Sequence, residues 1–137
     1  MTRTYRLPAV AAILVGLGAI QPLDAQAIEL TGVWSTSADL CKMVYTKKGN
    51  EIVFSELSDL YGSGFIIAGD RIRAKSANCT IKSRKQEGDT IELAAACATT
   101  IMIQDVRFVL KVIDDNTVSR VIPEIEGMAL RYSRCTL

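Results

Sequence analysis

Hydrophobic and polar residues alternate along much of this chain with the two-residue period of half-buried strands. The clearest case is Val106, Phe108, Leu110 and Val112, interleaved with Arg107 and Lys111, a pattern that puts one face in a core and the other in water. Similar β-rich stretches cover residues 30–35, 43–46, 52–55, 64–67, 71–75, 79–85, 90–97, 117–122 and 128–135. Turn-forming residues separate them: Lys47-Lys48-Gly49-Asn50, Ala68-Gly69-Asp70, Glu87-Gly88-Asp89 and Asp114-Asp115-Asn116, with Gly127 ahead of the last. Only residues 36–42 read as a weak helical candidate. About eight strands joined by short loops predict an all-β meander that closes as a small antiparallel up-and-down β-barrel; a flattened β-sandwich is the alternative. No internal repeat, low-complexity run or linker divides the chain.

The hairpin around Glu87-Gly88-Asp89 fixes an expectation for the cysteines. A three-residue loop sets Cys79 opposite Cys97, whereas a two-residue Gly88-Asp89 loop shifts the register by one and sends the two side chains to opposite faces. The three-residue register also groups Cys79, Ile81, Leu93 and Cys97 on an inner face. It leaves Thr80, Lys82, Arg84 and Glu92 outside, with Arg84 opposite Glu92. Pairing Cys79 with Cys97 leaves Cys41 with Cys135, a bridge spanning most of the domain and contributing roughly 4–5 kcal/mol in the chain-entropy model. No C-x-x-C occurs and no spacing matches a zinc site, so both bridges are expected to be structural.

Composition adds the address. Arg3 and Arg6 precede an uncharged, mostly apolar stretch at residues 7–20, which Gln21, Pro22 and Asp24 interrupt, and Ala25-Gln26-Ala27 offers small residues for signal peptidase. The apolar stretch is shorter than the roughly 20 residues of a membrane-spanning helix. Residues 1–27 therefore read as a signal peptide and 28–137 as one domain, periplasmic or secreted, with no transmembrane segment in the mature form. Export to an oxidising compartment suits the disulfides. The first cysteine is Cys41, which disfavours a lipid anchor at the cleavage site. With 16 Lys plus Arg against 15 Asp plus Glu, the chain lacks the charge of a nucleic-acid binder, and no nucleic-acid partner is expected.

Leu30-Thr31-Gly32-Val33-Trp34 contains a G-x-W at the start of the first strand. It resembles the motif that opens calycin-like barrels, among them lipocalins and the secreted bacterial metalloprotease-inhibitor family. The resemblance implies that Trp34 plugs one end of a barrel and packs against a basic residue of a late strand, Arg131 or Arg134, with Arg131 the expected partner. Size makes the inhibitor family, with its narrow and self-filled barrel, the nearer relative. That family inserts the segment ahead of its barrel into a protease, and here only residues 28–31 precede Gly32. The chain is also similar to small cysteine-containing secreted proteins of bacteria.

Two surfaces suggest contact with a partner. Arg71, Arg73, Lys75, Lys82, Arg84 and Lys85 form a basic run, and Arg71, Arg73 and Lys75 alternate with Ile72 and Ala74 so as to leave one strand face together. Such a patch suits an acidic partner or an anionic envelope polymer, unless it is a solvated outer face. The glycine-flanked loop at residues 57–64 carries Leu60 and Tyr61, as contact residues or as a lid over the barrel end. A Ser-His pair is excluded by the absence of His, and Asp114, Asp115, Glu124 and Glu126 read as solvated turn acids. No metal, cofactor or catalytic set is expected. The expected role is a non-enzymatic protein-binding one, as an inhibitor-like or accessory factor contacting another envelope protein. The alternatives are a carrier of a small apolar ligand and a structural envelope component.

Overall fold

A computed structural model describes residues 27–137 of the chain; the signal-peptide reading of residues 1–27 falls, but for Ala27, outside the described residues. Ten strands form: β1 Gly32–Ser35, β2 Tyr45–Lys48, β3 Glu51–Phe54, β4 Gly64–Ala68, β5 Arg71–Arg73, β6 Asn78–Glu87, β7 Thr90–Ala98, β8 Ile103–Asp114, β9 Thr117–Val121 and β10 Ala129–Arg134. Among the described residues, helical structure is confined to two single turns, Ala38–Leu40 and Ser58–Leu60, and a four-residue helix, α1, at Cys41–Val44. Eight strands close an antiparallel barrel in the order β1-β10-β9-β8-β7-β6-β5-β4. Trp34, Ile67, Ile72, Ile91, Leu93, Leu110, Val118 and Tyr132 are buried inside it.

The β2–β3 hairpin is not part of this ring. β1 skips it and pairs with β4, through Val33 with Ile66 and Trp34 with Phe65. The hairpin lies instead against the outside of β1 and β4, where the outward-facing Val33 and Ile66 form a second core with Val44 and Tyr45. The local signal for this hairpin is the same as for the others. Its placement follows from β1 and β4 having apolar residues on both faces, so that the outer face needs a cover of its own.

Both disulfides form as expected, Cys79–Cys97 across β6 and β7 and Cys41–Cys135 between α1 and the end of β10. The second brings the two ends of the ring together, since β1 pairs with β10 through Trp34 and Arg134. The hairpin arithmetic needs correction, however. Glu87 pairs with Thr90, so the β6–β7 loop is the two-residue Gly88-Asp89, with Gly88 at φ 60° as such a turn requires. A bulge between Ile81 and Ser83 then leaves Lys82 as an extra residue and restores the register at Cys79 and Cys97.

The bulge also reverses the expected orientation of Arg84. It pairs with Leu93, an inward residue, while Lys85 is the residue opposite Glu92. Glu92 takes its cation from the other side: Arg107 on β8 lies 2.7 Å away and, through that hydrogen bond, holds the Glu92 carboxyl below its ordinary pKa.

Candidate functional site

A tryptophan plugs one end of the barrel, and a mainly apolar cavity opens into the other. At the plugged end Trp34 is 1% exposed, and its Nε1 donates to the Leu30 carbonyl at 3.0 Å. The guanidinium of Arg134 lies over the indole, 4.2 Å from a ring centroid. It also donates to the carbonyls of Thr31 at 2.5 Å and Glu29 at 3.2 Å, and to that of Asp115 at 3.0 Å. Arg134 is thus the basic partner of the plug, and Arg131 is not. Tyr132 and Arg134 share the inward face of β10, whereas Arg131 pairs with Ser119 and is exposed.

The glycine of the G-x-W has a steric reason. A Cβ at Gly32 would stand 2.6 Å from Arg134 Nη1, and its φ of 145° is unsuited to other residues. Arg84 completes this end by donating to the Ile28 carbonyl, so residues 28–31 form a strap tied down by two inward-turned arginines. A groove of about 500 Å³ runs between the strap and the β8–β9 turn, walled in part by Asp114, Asp115 and Asn116, with Leu30, Trp34, Val112 and Val118 also lining it. It lies apart from the cavity at the other end.

At the other end a cavity of about 380 Å³ opens into the barrel. Its walls are mainly apolar: Phe65, Ile67, Ile72, Val106, Phe108 and Leu110 line it. The Cys79–Cys97 bridge contributes to the wall. Phe65 stands between this cavity and the plug, with its ring centroid 4.8 Å from that of Tyr132 and 6.3 Å from that of Trp34. The volume lies at the lower end of the roughly 300–1,000 Å³ that small-molecule sites occupy.

The cavity exists because the inward residues of β7 shrink toward this end. Ile91 and Leu93 give way to Ala95 and Cys97, so large side chains fill one half of the barrel and small ones line part of the other. Its mouth is flanked by exposed apolar residues of the β7–β8 turn, Ile101 at 88%, Met102 at 50% and Ile103 at 80%. The β9–β10 connection at the same end exposes Ile125 and Met128.

Arg120 was not singled out by the sequence reading. It lies on β9 opposite Leu110 of β8 and Leu130 of β10, two positions along from the buried Val118 and therefore on the inward face. Among the described residues it is the one charged side chain on the cavity wall. Its guanidinium lies over the Phe108 ring, 4.7 Å from the centroid. The detectable signal was parity: Val118 and Arg120 share a strand face, and an arginine is an unusual occupant of an inner one.

The residues expected to form a partner surface are dispersed. Arg73 turns to the β2–β3 hairpin, pairing with Glu51 at 2.6 Å and donating to the Ile52 carbonyl at 2.9 Å. Lys75 donates to the carbonyls of Ser55 at 2.6 Å and Glu56 at 3.0 Å. These two cations hold the side hairpin onto the barrel, and Arg84 holds the strap, so the six-residue run does not make one continuous patch. Arg71 is exposed beside Asp70, 3.7 Å away, and Lys82 is exposed on the bulge. Tyr61 packs against the second core, while Leu60 beside it is 74% exposed. Within the loop at 57–64, Tyr61 thus packs on the outer hairpin interface, while Ser63 and Gly64 line the cavity of the barrel.

Against family models, curated proteins and solved structures, the chain returns no match.

Proposed function

We propose that this protein binds a small apolar molecule in the open half of its barrel, as a carrier in the periplasm or outside the cell. The carrying observation is the cavity of about 380 Å³, walled mainly by apolar side chains. Two disulfides support an oxidising compartment. Among the described residues, no helix is long and apolar enough to cross a membrane.

The test is titration with the uncharged fluorophore N-phenylnaphthylamine. Saturable enhancement is expected for the wild type, and its loss for Val106→Phe, which directs a larger ring into the cavity from β8. No saturable binding by the wild type, or full binding by a folded Val106→Phe variant, would overturn the reading. Native mass spectrometry of the exported protein checks the rest: cleavage after Ala27, loss of four hydrogens for the two disulfides, and any retained ligand as added mass.

A second reading, contact with another envelope protein as an accessory or inhibitory factor, rests on the exposed Ile101, Met102 and Ile103. On that reading, Ile101→Ser with Ile103→Ser abolishes cross-linking to the partner and leaves thermal stability unchanged. Persistent cross-linking would exclude this rim as the contact.

A further inference from the structure

We infer that the ligand is an anionic single-chain amphiphile of medium length, with a carboxylate head held by Arg120 and its hydrocarbon tail in the cavity. This rests on the carrier reading above and adds the chemistry of the head. Three observations carry it. Arg120 is the one charged group on the cavity wall among the described residues; Ser63, Thr99 and Gln104 are neutral and polar, and most of the rest is apolar or aromatic. Among the described residues, Arg120 forms no ion pair and donates no side-chain hydrogen bond, a condition shared by the exposed Arg131, whereas Arg71, Arg73 and Arg107 pair with acids and Arg84 and Arg134 donate to carbonyls. Glu124 and Asp105 share a neighbouring groove with it without pairing.

The third observation is the position of the guanidinium. Its Cζ lies over the Phe108 ring, 4.7 Å from the centroid, which stabilises the cation through the ring quadrupole. A ring accepts no conventional hydrogen bond, so that contact leaves the planar fork of N–H donors to be matched by an acceptor. A planar carboxylate is the acceptor that matches such a fork with two parallel hydrogen bonds. A half-buried cation on a mainly apolar wall, over a ring but without an acid, has the charge and donor geometry to orient an anionic head and leave the tail to Phe65, Ile72 and Leu110. The modest volume favours a medium chain over a long or branched one.

The experiment displaces N-phenylnaphthylamine with dodecanoate or with dodecanol, which has the same chain and no charge, below their aggregation concentrations. Wild type is expected to prefer dodecanoate by about tenfold or more, the range of a hydrogen bond to a charged group. Arg120→Met is expected to keep probe binding and lose the preference, and Arg120→Lys to keep part of it. Equal affinity for acid and alcohol in the wild type would overturn the head-group assignment while leaving the cavity reading intact. An undiminished preference in a probe-binding Arg120→Met variant would do the same. Failure of probe and both amphiphiles to bind the wild type would overturn both.

Discussion

The two ends of this barrel are built from the same strands and solve opposite problems. At the closed end Trp34, Leu30, Ile91 and Val118 are buried in one core cluster, and Arg134 and Arg84 direct their donors to the carbonyls of the strap. At the open end the inner wall steps down to Ala95 and Cys97, and Arg120 has a ring beneath it and no acceptor. All three arginines face inward near a barrel end. The difference lies in whether the chain itself supplies acceptors: residues 28–31 do so at one end, and no described segment does at the other. On the carrier proposal, stability therefore belongs to the closed end and binding to the open one.

The sharpest way to break this contrast is Trp34→Ala. Removing a fully buried indole from the closed end is expected to destabilise the domain by about 3–5 kcal/mol, read as a lower urea midpoint at an unchanged slope. A loss below about 1 kcal/mol would show that the plug is dispensable and the ends are alike.

The next effect lies where the side hairpin meets the plug. The Tyr45 hydroxyl donates to the Trp34 carbonyl, passing where a Gly64 side chain would stand: a Cβ there would be 2.0 Å from the hydroxyl oxygen. Tyr45→Phe leaves that carbonyl without its donor and is expected to cost about 1–3 kcal/mol at neutral pH. Burial, and secondarily Tyr132, raises the phenol pKa well above its ordinary value of 10.0. The raised pKa means the folded state favours the protonated form. The associated stability is thus complete below the unfolded phenol's pKa and lost as pH rises above about 10. Denaturation midpoints should fall more steeply between neutral and strongly alkaline pH in the wild type than in Tyr45→Phe. Parallel pH profiles would show that Tyr45 is not the responsible group.

The smallest expected effect compares one residue type at the two ends. Val118→Ala trims a side chain that is 1% exposed within the core, whereas Val106→Ala trims a partly buried side chain on the wall of the open cavity. Val106→Ala is expected to cost about 1 kcal/mol or less, and Val118→Ala measurably more. Equal losses in thermal melts would mean that the two halves are packed alike in solution.

Much of this design was legible along the chain. Alternation marked the strands, turn residues marked the hairpins, and the G-x-W marked a tryptophan that does plug one end. The cysteine pairing was also legible, although the loop length that supported it was not, because an irregularity at Lys82 cancelled the error. That one inserted residue also moved Arg84 from the outer face to the strap. Arg131 and Arg134 could be separated only by a parity referenced to the inward Tyr132, and Arg120 required the same reference from Val118. The fate of Arg73 and Lys75 depended on a hairpin whose position no local signal encodes.

The sequence by itself determined what is periodic and local: an all-β chain, where it turns, which cysteines face each other, and an apolar N-terminal stretch with the features of a signal. Tertiary structure decided what depends on distant segments meeting. β1 paired with β4 and left β2–β3 outside, a bulge reset one face, and two halves of one barrel acquired different side-chain volumes. A cavity is a sum over eight strands at one height along the barrel, and an unpaired arginine is defined by what fails to reach it. Neither quantity resides in any stretch of sequence, because both depend on cross-strand register and on packing around the whole ring.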